Sequence, residues 1–217
     1  MLTAAVVQHA DPSSVLGIDA SEAFVQLARD RVADARVRFE VGDAAELPLS
    51  GGAACAVVSG LVLNFLPDAD AALADWRRVL RPGGVLGVYV WDYAGEMQLM
   101  RRLWDAAAEL DPAAADLDEG RRSPLCRPEP LRALVDGAGF TEVQVEAIDV
   151  PTVFRDFGDY WTPFLAGTGA APAYVAGMAP AARNRLRGLL ESRLPRGEGG
   201  TIPLTARAWA VRARRPG

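Results

Sequence analysis

Two aspartates, Asp19 and Asp43, stand where short apolar runs end, and a carboxylate in that position has a specific chemical use. Its two oxygens match the separation of the two hydroxyls of a ribose, so an acid closing one strand can accept from both. A second acid one unit later can accept from an exocyclic amine such as that of adenine. Taken singly, Asp19 is equally an acid favoured by the dipole at a helix start, and Asp43 a turn aspartate. At the ends of consecutive strands the pair points to a nucleoside-bearing cofactor. The other groups at such ends are Ser59-Gly60 and Trp91-Asp92-Tyr93.

What the chain lacks narrows the chemistry further. Among 217 residues all 23 basic ones are arginine, histidine occurs once at His9, and cysteine twice, at Cys55 and Cys126. Without lysine there is no Walker-type phosphate lysine, no Schiff-base lysine and no kinase strand lysine. One histidine and two distant cysteines cannot supply the three or four N/S ligands of a zinc site, so no metal is expected. A Ser-His-Asp hydrolase would rest on His9 alone, and His9 lies among Val6, Val7 and Ala10 as a structural histidine does. The net charge of -5 argues against a nucleic-acid partner. No run reaches the length of a membrane span, no signal-peptide layout opens the chain, and two cysteines make no disulfide framework. A reducing, cytoplasmic setting is expected.

Short apolar runs and helical patterns alternate up to about residue 150, as a doubly wound sheet with right-handed crossovers requires. Val15 to Ile18 reads as a buried strand ending at Asp19. Ser21 can cap a helix whose Phe24, Leu27, Ala28 and Val32 share a face. Val37 to Val41 and Ala56 to Ser59 read as the next strands. Asp70 opens a helix with Leu73, Trp76, Val79 and Leu80 inward, stopped by Arg81-Pro82-Gly83-Gly84. Val85 to Val90 is a central strand, Glu96 to Leu110 a helix and Asp111 to Pro128 a loop. Pro130 opens the helix carrying Leu131, Leu134, Val135 and Ala138; Val143 to Val150 is a strand. Residues 151–182 read as a cap or lid within one domain spanning 1–217, and Gly167-Thr168-Gly169 as loop punctuation. Arg183 to Leu194 is the last helix and Ala206 to Val211 the last strand.

In such sheets ligands bind at the carboxyl ends of the strands. Four segments there resemble one family in order and spacing: Val15-Leu16-Gly17-Ile18-Asp19-Ala20-Ser21, Val41-Gly42-Asp43-Ala44-Ala45-Glu46-Leu47-Pro48, Val57-Val58-Ser59 with Leu63-Asn64-Phe65, and Leu80-Arg81-Pro82-Gly83-Gly84. They are similar to class I S-adenosylmethionine-dependent methyltransferases, nearest to the small-molecule type 11 group. The resemblance implies a Rossmann-like, mostly parallel sheet with an antiparallel C-terminal strand, and S-adenosyl-L-methionine as cofactor. It places Asp19 on the ribose with Ala20 beside it, Asp43 on the adenine amine, Ala44 on the adenine ring through its backbone, and Ser59 near the methionine end.

Two departures accompany the resemblance. Cys55 stands where the family commonly has an acid. The family's first strand and its glycine-rich turn, which should precede Leu2-Thr3-Ala4-Ala5-Val6, are absent, and Met1 falls at the start of the first helix. A fragment, a misplaced start or a degenerate family member would each account for this, and a misplaced start is the expectation favoured. Losing a central strand leaves its neighbours without a hydrogen-bonding partner or forces them to pair with each other, so weak or absent cofactor binding by these residues alone is expected. Methyl transfer needs positioning more than acid or base. Trp91, Tyr93, Trp161, Phe164 and Tyr174 are candidates for an apolar acceptor pocket, against the plainer reading of core packing. No catalytic base stands out, and the acceptor, expected to be a small molecule, and the oligomeric state stay open. The competing readings are a non-catalytic methyltransferase-like binding protein and, less favoured, a nicotinamide-dependent reductase.

Overall fold

The computed structural model describes residues 2–166 and 168–217; the expectations resting on Met1 and Gly167 lie outside the described residues. In chain order the elements are α1 (Leu2–Ala10), β1 (Val15–Asp19), α2 (Glu22–Arg31), β2 (Val37–Val41), β3 (Ala54–Gly60), α3 (Ala69–Val79), β4 (Leu80–Trp91) and α4 (Gln98–Leu110). Then follow α5 (Glu119–Arg122), α6 (Pro128–Gly137), β5 (Thr141–Phe154), α7 (Phe157–Trp161), α8 (Pro163–Ala166), α9 (Ala170–Gly177), α10 (Pro180–Arg193) and β6 (Ile202–Arg214).

β1 and β2 pair in parallel as a two-stranded sheet, and the other four strands form a second sheet in the order β3-β4-β6-β5. The Gly83 N–H donates to the Arg215 carbonyl and the Asp92 N–H to that of Arg207, so β6 runs antiparallel to β4, as expected of the last strand. β1 and β3 do not pair with each other: each ends its own sheet. Of the two outcomes foreseen for these strands, a missing neighbour rather than a new pairing is the one observed. Cys55 is exposed on β3.

The backbone divides into two compact units. Residues 1–88, 134–143 and 212–217 make one, and residues 89–133 and 144–211 the other. In the first, α3 turns Ala72, Leu73, Trp76 and Val79 inward, and Leu73 and Val79 each contribute ~2 kcal/mol by leaving water. Asp68, not Asp70, caps this helix, because its carboxylate can accept from the Ala71 N–H one turn in (2.8 Å). Ser21 caps α2 as expected, accepting from the Phe24 N–H. The inner face of α2 differs from the expected one: Val25 is buried, whereas Phe24 and Leu27 are 62% and 42% exposed. A two-stranded sheet covers only a narrow stripe of the helix laid on it, and Val25 takes that stripe.

The second unit holds one large apolar cluster, built from Leu103, Trp104 and Ala107 of α4, the aromatics of α7 and α8, Val175 of α9 and Leu186 and Leu190 of α10. The stretch expected as a loop between 111 and 128 is instead α5 flanked by short 3₁₀ turns, each opened by an aspartate or a proline. The segment 151–182 carries α7, α8 and α9, whose aromatics belong to that cluster.

Candidate functional site

Within the first unit the strand register brings the two aspartates to one end. Asp19 pairs with Val41 in the parallel ladder, and the Gly42 N–H donates to the Asp19 carbonyl (3.1 Å). Asp43 therefore stands two residues beyond Val41, just past the end of the strand that neighbours Asp19. Two glycines make this close ladder possible. A Cβ on Gly17 would lie 2.5 Å from the Phe39 ring, and one on Gly42 3.1 Å from Ile18. Both carboxylates are exposed and half used: Asp19 Oδ1 accepts from the Ser21 N–H and Asp43 Oδ1 from the Ala45 N–H, each at 2.8 Å. Each keeps Oδ2 for another donor.

Ala44, the residue expected on the adenine ring, is fixed from behind by α3. The Trp76 indole Nε1–H donates to the Ala44 carbonyl at 2.6 Å. Further along the same loop, Asp75 accepts from the Leu47 N–H (2.8 Å), and Arg78 donates to the carbonyls of Leu47 and Leu49 (3.0 and 2.6 Å). With its carbonyl taken, Ala44 keeps its N–H for another partner. Sequence reading took Trp76 only as an apolar face residue. The signal for more was there, since a buried tryptophan must find an acceptor for its N–H.

Ser59 is half-buried near the end of β3. Beyond it the chain turns sharply at Leu61, which holds φ +60°, a left-handed conformation that costs a branched residue of order 1 kcal/mol. A 3₁₀ turn, Leu63–Phe65, follows, and within it both polar atoms of the Asn64 carboxamide are buried without a hydrogen-bond partner. Unpaired buried groups of this kind are rare and mark functional or strained places.

In the second unit Trp91 closes β4, followed by Asp92, 5% exposed, whose Oδ2 accepts from the Glu96 N–H (2.9 Å). Tyr93 is half-buried, and its phenol is pushed up to about 12 by burial and by the Glu119 carboxylate, so it remains a proton donor at neutral pH. Trp161 and Phe164 are not set apart from the core. They pack on Phe157 and Tyr160, with ring centroids 5.6 to 6.2 Å apart. Tyr174 stacks at a tilt on Trp104, 5.4 Å between centroids. The structure thus gathers Trp161, Phe164 and Tyr174 into one packed cluster, and sets Trp91 at the end of β4 and Tyr93 in the segment after it. A cavity of about 360 Å³ in this unit is lined by Ala94, Arg101, Asp105, Asp118, Arg121 and Arg127. Arg101 and Asp118 form a two-pronged ion pair there, Nη1 to Oδ1 at 3.0 Å and Nη2 to Oδ2 at 2.7 Å. None of the five expected acceptor-pocket residues lines it.

A family model described as a methyltransferase domain matches residues 1–88. The chain is similar to trans-aconitate 2-methyltransferase of Deinococcus radiodurans, 31% identical over 200 residues, which cover 89% of this chain and 75% of that protein. It is also similar to arsenite methyltransferase of Halobacterium salinarum, 29% identical over 156 residues, 67% of this chain but only 37% of that protein's length. Among solved structures it resembles Haemonchus contortus phosphoethanolamine N-methyltransferase 2 in complex with S-adenosyl-L-methionine. The TM-score is 0.58 at 18% identity, over 99% of this chain and 46% of that one, which is a likeness of fold.

Proposed function

Because the chain belongs to the class I S-adenosylmethionine-dependent methyltransferases, we propose that its first unit holds the adenosine end of S-adenosyl-L-methionine and that the protein directs methyl transfer to a small acceptor bearing carboxylates. The observation that carries the cofactor half is the register of β1 and β2. It puts the free Oδ2 atoms of Asp19 and Asp43 at one strand end, with the Ala44 N–H beside them. These groups fit a ribose diol, the adenine amine and a ring nitrogen in that order. Ala20 follows Asp19 at that end. Ser59 and the unpaired Asn64 carboxamide are polar capacity at the end of β3, where the methionine part belongs.

When bound, the cofactor supplies a methyl group on a positively charged sulfur. The protein's share is orientation, worth several orders of magnitude without any acid or base. That accords with a chain whose lone histidine lies in α1. For the acceptor, support comes from the guanidiniums of Arg121 and Arg127 in one cavity and from the likeness to a trans-aconitate enzyme. Of the expected pocket aromatics, Tyr93 is the one we assign to the acceptor, since it adjoins Ala94 of that cavity.

Titrating the ¹⁵N-labelled chain with S-adenosylhomocysteine tests the cofactor half. The amides around Asp19, Asp43 and Ala44 should shift, and Asp43→Ala should weaken binding about tenfold, the worth of one charge-assisted hydrogen bond. No shifts at millimolar ligand reject it and favour a non-catalytic relative. A tritium-transfer assay with trans-aconitate tests the acceptor: binding without transfer rejects the carboxylate acceptor and leaves the cofactor site standing.

A further inference from the structure

The loop that presents Asp43 and Ala44 has few attachments of its own to the sheet. After Gly42 the chain leaves β2, and the residues up to Ala53 form turns rather than a strand or helix. What holds this loop is one face of α3. Three polar tips, at residues 75, 76 and 78, reach three loop positions: Trp76 Nε1 to the Ala44 carbonyl, Asp75 Oδ2 to the Leu47 N–H, and Arg78 to the Leu47 and Leu49 carbonyls. Asp75 and Arg78 also brace each other, Nε to Oδ1 at 2.7 Å. The Arg78 carbonyl in turn accepts from the Gly52 N–H (3.0 Å).

Trp76 is the informative member. Its ring is 2% exposed and cannot touch a ligand, yet its one polar atom is used on the residue proposed to read adenine. A peptide unit holds the C=O of one residue and the N–H of the next in one plane, so fixing the Ala44 carbonyl fixes the Ala45 N–H, the group that donates to Asp43 Oδ1 (2.8 Å) and sets that carboxylate's direction. We propose that Trp76 is a positioning residue for base recognition: the bond to the Ala44 carbonyl holds the Asp43–Ala44 turn in the orientation that distinguishes adenine from other purines. This rests on the adenosine reading above. Preorganisation of this kind acts on selectivity as well as affinity, because a loosened turn can re-aim its donor and acceptor toward a different ring edge.

The experiment uses S-adenosylhomocysteine and S-inosylhomocysteine. The second replaces the 6-amino group with an oxo group and puts a hydrogen on N1, which reverses both the donor that Asp43 reads and the acceptor that Ala44 N–H reads. Titration of the wild-type chain should show a strong preference for the adenine form. Trp76→Phe keeps most of the buried ring and removes only the N–H. The preference should shrink by about tenfold, through weaker binding of the adenine form with little change for the inosine form. Arg78→Met, made at a side chain 43% exposed, cuts the other attachments from outside the core and should narrow the preference in the same direction. Equal weakening of both ligands means that Trp76 acts only through stability, and overturns the proposal, as does an unchanged ratio in both variants. Absence of wild-type binding to either ligand overturns the adenosine reading itself, and the proposal falls with it.

Discussion

Arg101 commits its whole guanidinium to neighbours: Nε to Asp105 (2.9 Å), both terminal nitrogens to Asp118, and Nη1 also to the Tyr93 carbonyl (3.3 Å). Asp118 in turn accepts from the Gly120 N–H, and its side chain is only 5% exposed. Removing one partner of such a pair strands the other, which costs far more than the pair itself is worth. Arg101→Met should therefore destabilise the protein by ~3 kcal/mol in urea unfolding, and the double variant Arg101→Met/Asp118→Leu should recover most of the loss. Little of this was legible beforehand. The segment from 111 to 128 has no apolar period, so it read as loop, and an ion pair across 17 positions leaves no pattern in a single sequence. Asp19 and Asp43 were legible because a strand end is a place that periodicity can locate.

α2 with β1 and β2 is the element group with the least holding it. Only Val25 of α2 is buried, no residue of β1 or β2 is, and a two-stranded sheet is marginal by itself. Amides of β1 and β2 should accordingly exchange with deuterium at least about tenfold faster than those of β4 between Leu86 and Val90, where alternate side chains are fully buried. Comparable protection in both would show that α2 and α1 brace the pair more firmly than their burial implies. At this scale the sequence was most readable. Strand cores fell where apolar runs lay, because a run such as Val85 to Val90 has few other fates. The inner face of α2 was misplaced for the opposite reason: periodicity ranks faces by apolar content, and here the extent of the sheet underneath decides. The end of α3 shows the same limit. The chain leaves the helix at Leu80 and enters β4 at once, with Gly83 at φ +74° inside the strand's opening rather than at the helix cap.

Across the molecule, with no lysine in the chain, the side-chain ion pairs among the described residues are arginine pairs. Several hold carboxylates below their ordinary range: Arg36 draws Asp34 down to about 2, chiefly by side-chain hydrogen bonding, and Arg207 and Arg193 lower Asp149 and Glu109 in the same way. A carboxylate with a lowered folded value adds stability that is complete above its unfolded value and lost as pH falls through the folded one. The thermal midpoint should thus hold steady down to about pH 5 and then fall toward about pH 2. Asp34→Asn should lower the midpoint at neutral pH, and its difference from wild type should close as the pH drops to about 2. A difference that persists at the lowest pH would assign the effect to packing. No helix among the described residues is long and apolar enough to cross a membrane.

The exposed thiol on β3 turns the free edge of that strand into something that can be watched. Cys126 is buried and its thiol is pushed up to about 12 by burial, which leaves Cys55 as the one thiol of the chain open to maleimide chemistry at neutral pH. A fluorophore or spin label can be set at one known position without any substitution. Its mobility would then report, in real time, whatever comes to lie along the strand.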